Sequence, residues 1–293
     1  MTPQLGLLLA LGCAFFTNLA FLWKQKGAVA APEVALKHPL KSAKGLFCSK
    51  WFVIGFTVAI AAWALHVAAL ALAPISLVQA VISGGLVFLA VLADRWFGFK
   101  LGRRQWWGVA FVAAGLAFLG LTAEHTGSHS SYSIAGMIGF EGVMIALGVF
   151  FIFSHKVQLR LAGDRHGVEL AAAAGILFGV SDIAIKAITG DVGSILGPWT
   201  LVALLASIGA FYVSAHSLQL GDGISAIATT SVAANASAIL GGILVFGEPI
   251  GSGALGITAR VLAFGFVIAG AALVPAPLRA GSDTAEQPSG CSQ

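Results

Sequence analysis

The segment VELAAAAGILFGVSDIAIKAITG, residues 168–190, decides the fold. Its run from Leu170 to Val180 is wholly apolar, and Asp182 and Lys186 follow without a turn residue before Gly190. About 20 apolar residues in helical conformation span a bilayer, so the segment reads as a membrane helix carrying two charges. A charge at bilayer depth costs roughly 2.5–3.5 kcal/mol on insertion scales unless it is paired or wetted. The pair therefore belongs either to a structural clasp or to a transport site.

The rest of the chain has the same texture. Of 293 residues, 58% are hydrophobic and only 10% charged, against about 25% charged in a soluble domain. Mean hydropathy is +0.93. The apolar runs are helix-length and do not alternate as strands of a membrane barrel would. Nine spans are expected, near 4–23, 51–73, 75–94, 105–122, 134–154, 168–188, 199–219, 224–246 and 253–274. The first has no basic residue ahead of it and is long enough to cross, so it reads as a span and not as a signal peptide. Cys13, Cys48 and Cys291 show no pairing pattern, and no disulfide is expected. Residues 276–293 are small and polar and read as a disordered tail.

Charge then sets orientation. Lys24, Lys26, Lys37, Lys41, Lys44 and Lys50 lie in 24–50, Arg95, Lys100, Arg103 and Arg104 in the next loop on that side, Lys156, Arg160 and Arg165 in the third, and Arg279 in the tail. That places 14 of 16 basic residues on one face, and the other two, Lys186 and Arg260, belong to spans. The positive-inside rule puts the N-terminus outside and the C-terminus in the cytoplasm, in a multi-pass protein of the plasma or inner membrane. The loop lysines read as topology signals and anionic-lipid contacts. Lys37, Lys41 and Lys44 share a helical face, which suits an interfacial helix within 24–50. Glu124, His125 and His129 between spans four and five read as a solvated loop rather than a metal site. No HExxH, nucleophile elbow or phosphate-binding glycine loop is present, so neither enzyme chemistry nor a bound cofactor is expected, and no nucleic-acid partner.

The chain also repeats. ALAPISLVQAVISGG (71–85) is similar to LQLGDGISAIATTSVAA (218–234): a short break, Ile-Ser, then a small-residue span that ends near an acid, Asp94 or Glu248. Spans with the texture of 109–120 and 262–273 follow. If spans 1–4 recur as 6–9, the odd offset inverts the second copy. Residues 1–155 then form a first repeat with the basic loop 24–50, and 156–275 a second, inverted one. Inverted repeats characterise secondary transporters, whose substrate sites lie near the midplane between the copies.

In this arrangement the chain resembles the drug/metabolite transporter (DMT) superfamily, with its EamA-type inverted halves, and within it the NIPA-like branch associated with magnesium transport. The likeness rests on AFLWKQKGAV (20–29) closing span 1, on the long basic loop, and on ALAPISLV (71–78) opening span 3. That branch closes span 1 with three lysines, where this chain reads Lys24-Gln25-Lys26. It also carries an acid in span 2, where this chain has Trp63, three residues before His66.

At a rise of roughly 1.5 Å per residue, Asp182 comes out roughly 9–10 Å below the outer face, and His66, Glu141 and Arg260 roughly 10–12 Å below it. Four ionisable groups from four helices thus share a depth. In one reading Arg260 pairs with Asp182 or Glu141 as a lock between helices. In the other, His66, Glu141, Asp182, Lys186 and Arg260 line a cavity, with Gln79, Ser83 and Asn235 as further polar contacts. Glu141 and Asp182 are the metal-facing candidates if the cargo is a cation. Lys186 is expected to pair with Asp182 one turn away or to snorkel to the headgroups. The expected function is carriage of a small solute by alternating access; the alternatives are a NIPA-like divalent-cation path and a non-transporting membrane scaffold. Expected partners are the solute or ion and the bilayer, with a homodimer left open.

Overall fold

The computed structural model describes residues 2–32, 34, 39–97, 102–122, 131–158, 166–190, 196–220, 223–248 and 253–273. Eleven helices occur among them: α1 (Thr2–Val29), α2 (Pro39–Phe47), α3 (Lys50–Leu72), α4 (Ile75–Ser83), α5 (Gly85–Trp96), α6 (Arg103–Thr122), α7 (Ile134–Gln158), α8 (His166–Gly190), α9 (Pro198–Gln219), α10 (Gly223–Leu244) and α11 (Gly253–Leu273). Seven helical stretches are long and apolar enough to cross a membrane: Gln4–Val29, Lys50–Leu72, Ile75–Trp96, Ile134–Phe153, His166–Thr189, Pro198–Gln219 and Ser225–Leu244. The chain is therefore an all-α, polytopic membrane protein. Helices α6 and α11 fall where the sequence sets spans four and nine. The loop with Glu124, His125 and His129, the tail 276–293, Lys37 and Cys291 lie outside the described residues.

Three local expectations are corrected. Helix α1 does not end at Trp23 but runs to Val29. Lys and Gln are good helix formers, and the new charges rest on aromatic faces: Lys24 Nζ lies 4.1 Å from the Phe21 ring centroid and Lys26 Nζ 4.0 Å from that of Trp51. The third span is not continuous. Gly84 N shares the carbonyls of Ala80 and Val81 at 3.3 and 3.1 Å, and Val87 N closes a tight turn on Gly84 O at 2.9 Å. Two adjacent glycines, each costing about 1 kcal/mol inside a helix, place the break between α4 and α5. Finally, Cys48 is disulfide-bonded, where no disulfide was expected, whereas Cys13 is free. A short helix occurs in the basic segment as α2, with Lys41 and Lys44 exposed and Ser42 and Leu46 buried.

Helix α1 packs on α3, α4 and α5, and α8 packs on α9 and α10, while α6 lies on α11 and α7 on α8. Between these groups α4 meets α10, α3 meets α8, and α1 meets α9. The α8–α10 contact depends on two glycines one turn apart. A Cβ at Gly175 would stand 2.4 Å from Thr230 O, and one at Gly179 2.5 Å from the Ser237 Cβ. Small residues at this spacing let helix backbones approach without a side chain between them.

Of the clusters of buried apolar side chains among the described residues, a smaller one holds Leu170, Ala173, Ala174 and Val213, and two are larger. One holds Leu22, Phe52, Leu89, Ala171, Leu218 and Ile227; the other Ala10, Leu70, Val78, Ile183, Ala203 and Ala238. Along α1, α3, α4–α5, α8, α9 and α10 several buried polar residues fall between the larger two, Asn18, His66, Gln79 with Ser83, Ser181, Ser214, and Thr230 with Asn235, whereas Lys186, Ser217 and Ser225 lie within or beyond them. The bundle thus has a polar layer sandwiched between apolar ones.

Candidate functional site

Asp182 is the centre of that layer. His66 Nε2 donates to its Oδ1 at 3.0 Å, and Gln79 Nε2 donates to its Oδ2 at 2.7 Å. One carboxylate therefore joins α3, α4 and α8. His66 and Gln79 are buried, but the Asp182 side chain is 17% exposed. The Cys13 thiol of α1 lies 3.6 Å from Thr17 Oγ1. Ser83 sits one turn beyond Gln79 and gives its hydroxyl to Gln79 O at 2.8 Å, within its own helix. Asn235 is buried on α10 in the same layer.

The space beside Asp182 is legible on α8 itself. Phe178, one turn earlier on the same helical face, is also partly exposed, in a helix otherwise buried from Ala173 to Ala187. Phe178 lines a small crevice with Lys24 of α1, Phe52 of α3, and Phe211 and Ser214 of α9. The crevice thus runs from the end of the bundle marked by Lys24 and Phe52 to within one turn of the carboxylate.

The opposite end is closed by charge. Glu248, just beyond α10, accepts Ile75 N on Oε1 at 2.6 Å and Ser76 N on Oε2 at 2.8 Å. These are free amides of the first turn of α4, where an anion is favoured by the helix dipole. Gly247, at φ 63°, supplies the left-handed turn just ahead of Glu248. Lys186 does the complementary thing at the end of α3, donating from Nζ to Leu70 O at 2.8 Å and Ala73 O at 2.9 Å. An acid and a base reaching in from the α8–α10 side hold the two ends of the Ala73–Pro74 corner. The acid was read from sequence only as a span-end feature; its signal was a proline-opened helix whose free amides needed an acceptor.

Several sequence expectations are corrected here. Asp182 is met by His66 and Gln79, and Lys186 extends to the end of α3. Lys186 does not snorkel: it is 1% exposed, because the C-terminal carbonyls of α3 give its ammonium acceptors at shorter reach than the headgroups. Glu141 is buried on α7, and its Oε1 has no hydrogen-bond partner among the described residues. Arg260 belongs to α11, and its side chain lies outside the described residues. No group of three or more His, Cys, Asp or Glu side chains able to hold a metal ion occurs among the described residues.

At the other end a neutral side chain bridges α9 to the end of α1 and the segment that follows it. Gln219, the last residue of α9, accepts Val34 N at 2.8 Å and donates to Ala28 O at 2.9 Å and Pro32 O at 3.1 Å.

No protein-family model matches this chain, and no solved structure does. It is similar along most of its length to a protein described as "Probable magnesium transporter NIPA9" from Arabidopsis thaliana, at 22% identity over 282 residues, covering 91% of this chain and 80% of that protein.

Proposed function

We propose that the chain is a NIPA-like secondary transporter that carries a divalent cation of the magnesium class by alternating access between two inverted halves. The observation that carries this is Asp182, a partly exposed carboxylate in the polar layer, held by donors from α3 and α4 and one helical turn from Phe178, which lines the crevice. Magnesium keeps much of its water and is bound through one or two carboxylates rather than an all-protein cage, so a single partly exposed acid suits it better than a closed ligand set. The similarity to a probable magnesium transporter supports the same reading.

The packing supports two related halves. Exchanging α1, α3, α4–α5 and α6 with α8, α9, α10 and α11 maps α1–α3 onto α8–α9 and α3–α8 onto α9–α1, whereas the α7–α8 contact has no such counterpart. With α7 between the copies the plan is nine spans, N-terminus outside and C-terminus in the cytoplasm, as the basic loops indicate. The Glu248–Lys186 corner then faces outside, and the crevice with Lys24 faces the cytoplasm.

A second reading, a carrier of small solutes, is favoured by the lining of that crevice. Phe52, Phe178 and Phe211 with the Lys24 ammonium suit an aromatic or anionic solute better than a bare dication. Uptake into vesicles reconstituted with purified protein separates the two. Magnesium entry, reported by a trapped indicator and lost in Asp182→Asn while Tm is kept, is the expected result. Uptake of an organic solute without magnesium entry would assign the chain to the second reading. A folded Asp182→Asn protein with unchanged flux would remove Asp182 from the path.

A further inference from the structure

Glu141 stands apart from the Asp182 cluster. It is 3% exposed on α7, with Oε1 unpartnered among the described residues. The buried face of α7 consists of Met137, Glu141 and Gly148, set against α8 and α10, and Gly148 touches Ile176 and Leu177 of α8. Helix α10 has no titratable side chain from Gly223 to Leu244. On the membrane-facing length of α8 the titratable groups are Asp182 and Lys186, directed to His66 and Gln79 and to the end of α3. Glu169 and His166 lie in the first turn of α8. On α7 itself His155 and Lys156 are at the far end. Arg260 sits on α11, which packs on α6 and α10.

A bare carboxylate in such surroundings is strongly disfavoured, and the group neutralises by taking a proton. A metal ion would need several further oxygen ligands, and Glu141 belongs to no cluster of ligating side chains among the described residues. The proton is the ligand this site fits.

We propose that Glu141 is a proton-binding site, protonated in the conformation described here, and that its deprotonation when α7 moves against α8 couples proton flow to cargo movement. The step is the transfer of one proton: the carboxyl releases it to water on one side of the membrane and takes one from water on the other. The coupling half of the proposal rests on the transporter reading; the protonation half does not.

Two measurements test it. Infrared spectra of the protein in lipid at neutral pH should show a protonated-carboxyl C=O band in wild type that is missing in Glu141→Gln. In reconstituted vesicles Glu141→Gln should keep magnesium counterflow but lose accumulation driven by a pH gradient. Identical carboxyl-region spectra for the two proteins would overturn the proposal, as would pH-driven accumulation that survives the substitution. A wild type that moves no magnesium at all would count against the proposed cargo, and the infrared band would still decide the state of Glu141. Gln is isosteric with the neutral acid, so Tm should be kept; if the variant fails to fold, a deuterium shift of the band in wild type with Glu141 labelled site-specifically decides instead.

Discussion

Removing the Glu248 carboxylate tests the corner between α3 and α4 most directly. In Glu248→Ala the amides of Ile75 and Ser76 lose acceptors at 2.6 and 2.8 Å, and Ile75 is fully buried. Hydrogen bonds to a charged group contribute about 1.5–3 kcal/mol each in water-based series. Polar contacts between membrane helices measure less, averaging about 0.6 kcal/mol, because the unfolded state in lipid also finds partners. Between those limits the two bonds together are expected to stabilise by about 2–4 kcal/mol. At about 2–4 °C per kcal/mol for a large chain, Tm in detergent should fall by roughly 5–15 °C. Glu248→Gln keeps a neutral acceptor for one amide and should lose about half as much. Lys186 lies within electrostatic reach of Glu248, so part of the loss reflects a buried ammonium deprived of a nearby acid. An Ala variant melting within about 1 °C of wild type would refute the assignment of Glu248 as the cap of α4.

Gly175→Leu drives a side chain into the Thr230 backbone, where even a Cβ would stand at 2.4 Å. Because the obstacle is backbone, the cost should reach or exceed the usual 1–3 kcal/mol of overpacking, measured as a fall in Tm and loss of folded protein on size exclusion, with Gly148→Ala as a tolerated control. Gln219→Leu removes three neutral hydrogen bonds to the end of α1. It should raise the labelling rate of a cysteine placed at Ser214 in the crevice while leaving one placed at Ser76 unchanged, and equal labelling at both would count against Gln219 as a closure of that end.

The helices were legible because each long apolar run must satisfy its own backbone in lipid. The depth argument set His66 and Asp182 at a similar level without pairing them, because rise per residue is fixed once a span is recognised, and the two side chains meet. Rotation about the helix axis is not fixed by depth. Glu141 shares the expected level with Asp182 but lies on α7 against a different side of α8, and Gln79 joined the site although no charge marked it. Glu248 and Lys186 were hidden for another reason. Both act on backbone amides and carbonyls of a helix break far away in sequence, and such acceptors carry no residue-type signature. The Ser83-Gly84-Gly85 break was written in its glycines, yet composition treats it as one apolar span.

The two ends of the bundle are bridged by unlike chemistry, which bears on how a rocking motion would proceed. At the α3–α4 corner the bonds come from a carboxylate and an ammonium, about 1.5–3 kcal/mol apiece before any discount for lipid, whereas neutral bonds like those of Gln219 contribute about 0.5–1.5 kcal/mol. The weaker bridge stands where α9 meets the end of α1, beside the crevice lined by Lys24 and Ser214. Under alternating access that end separates first, and Asp182 is reached from it past Phe178. Opening the other face means pulling Glu248 off two amides and Lys186 off two carbonyls, leaving two charges and four backbone groups to be solvated together. Only water entering that corner can compensate such a loss, so under the proposed transport cycle a state open at this end would be hydrated at Ala73–Pro74.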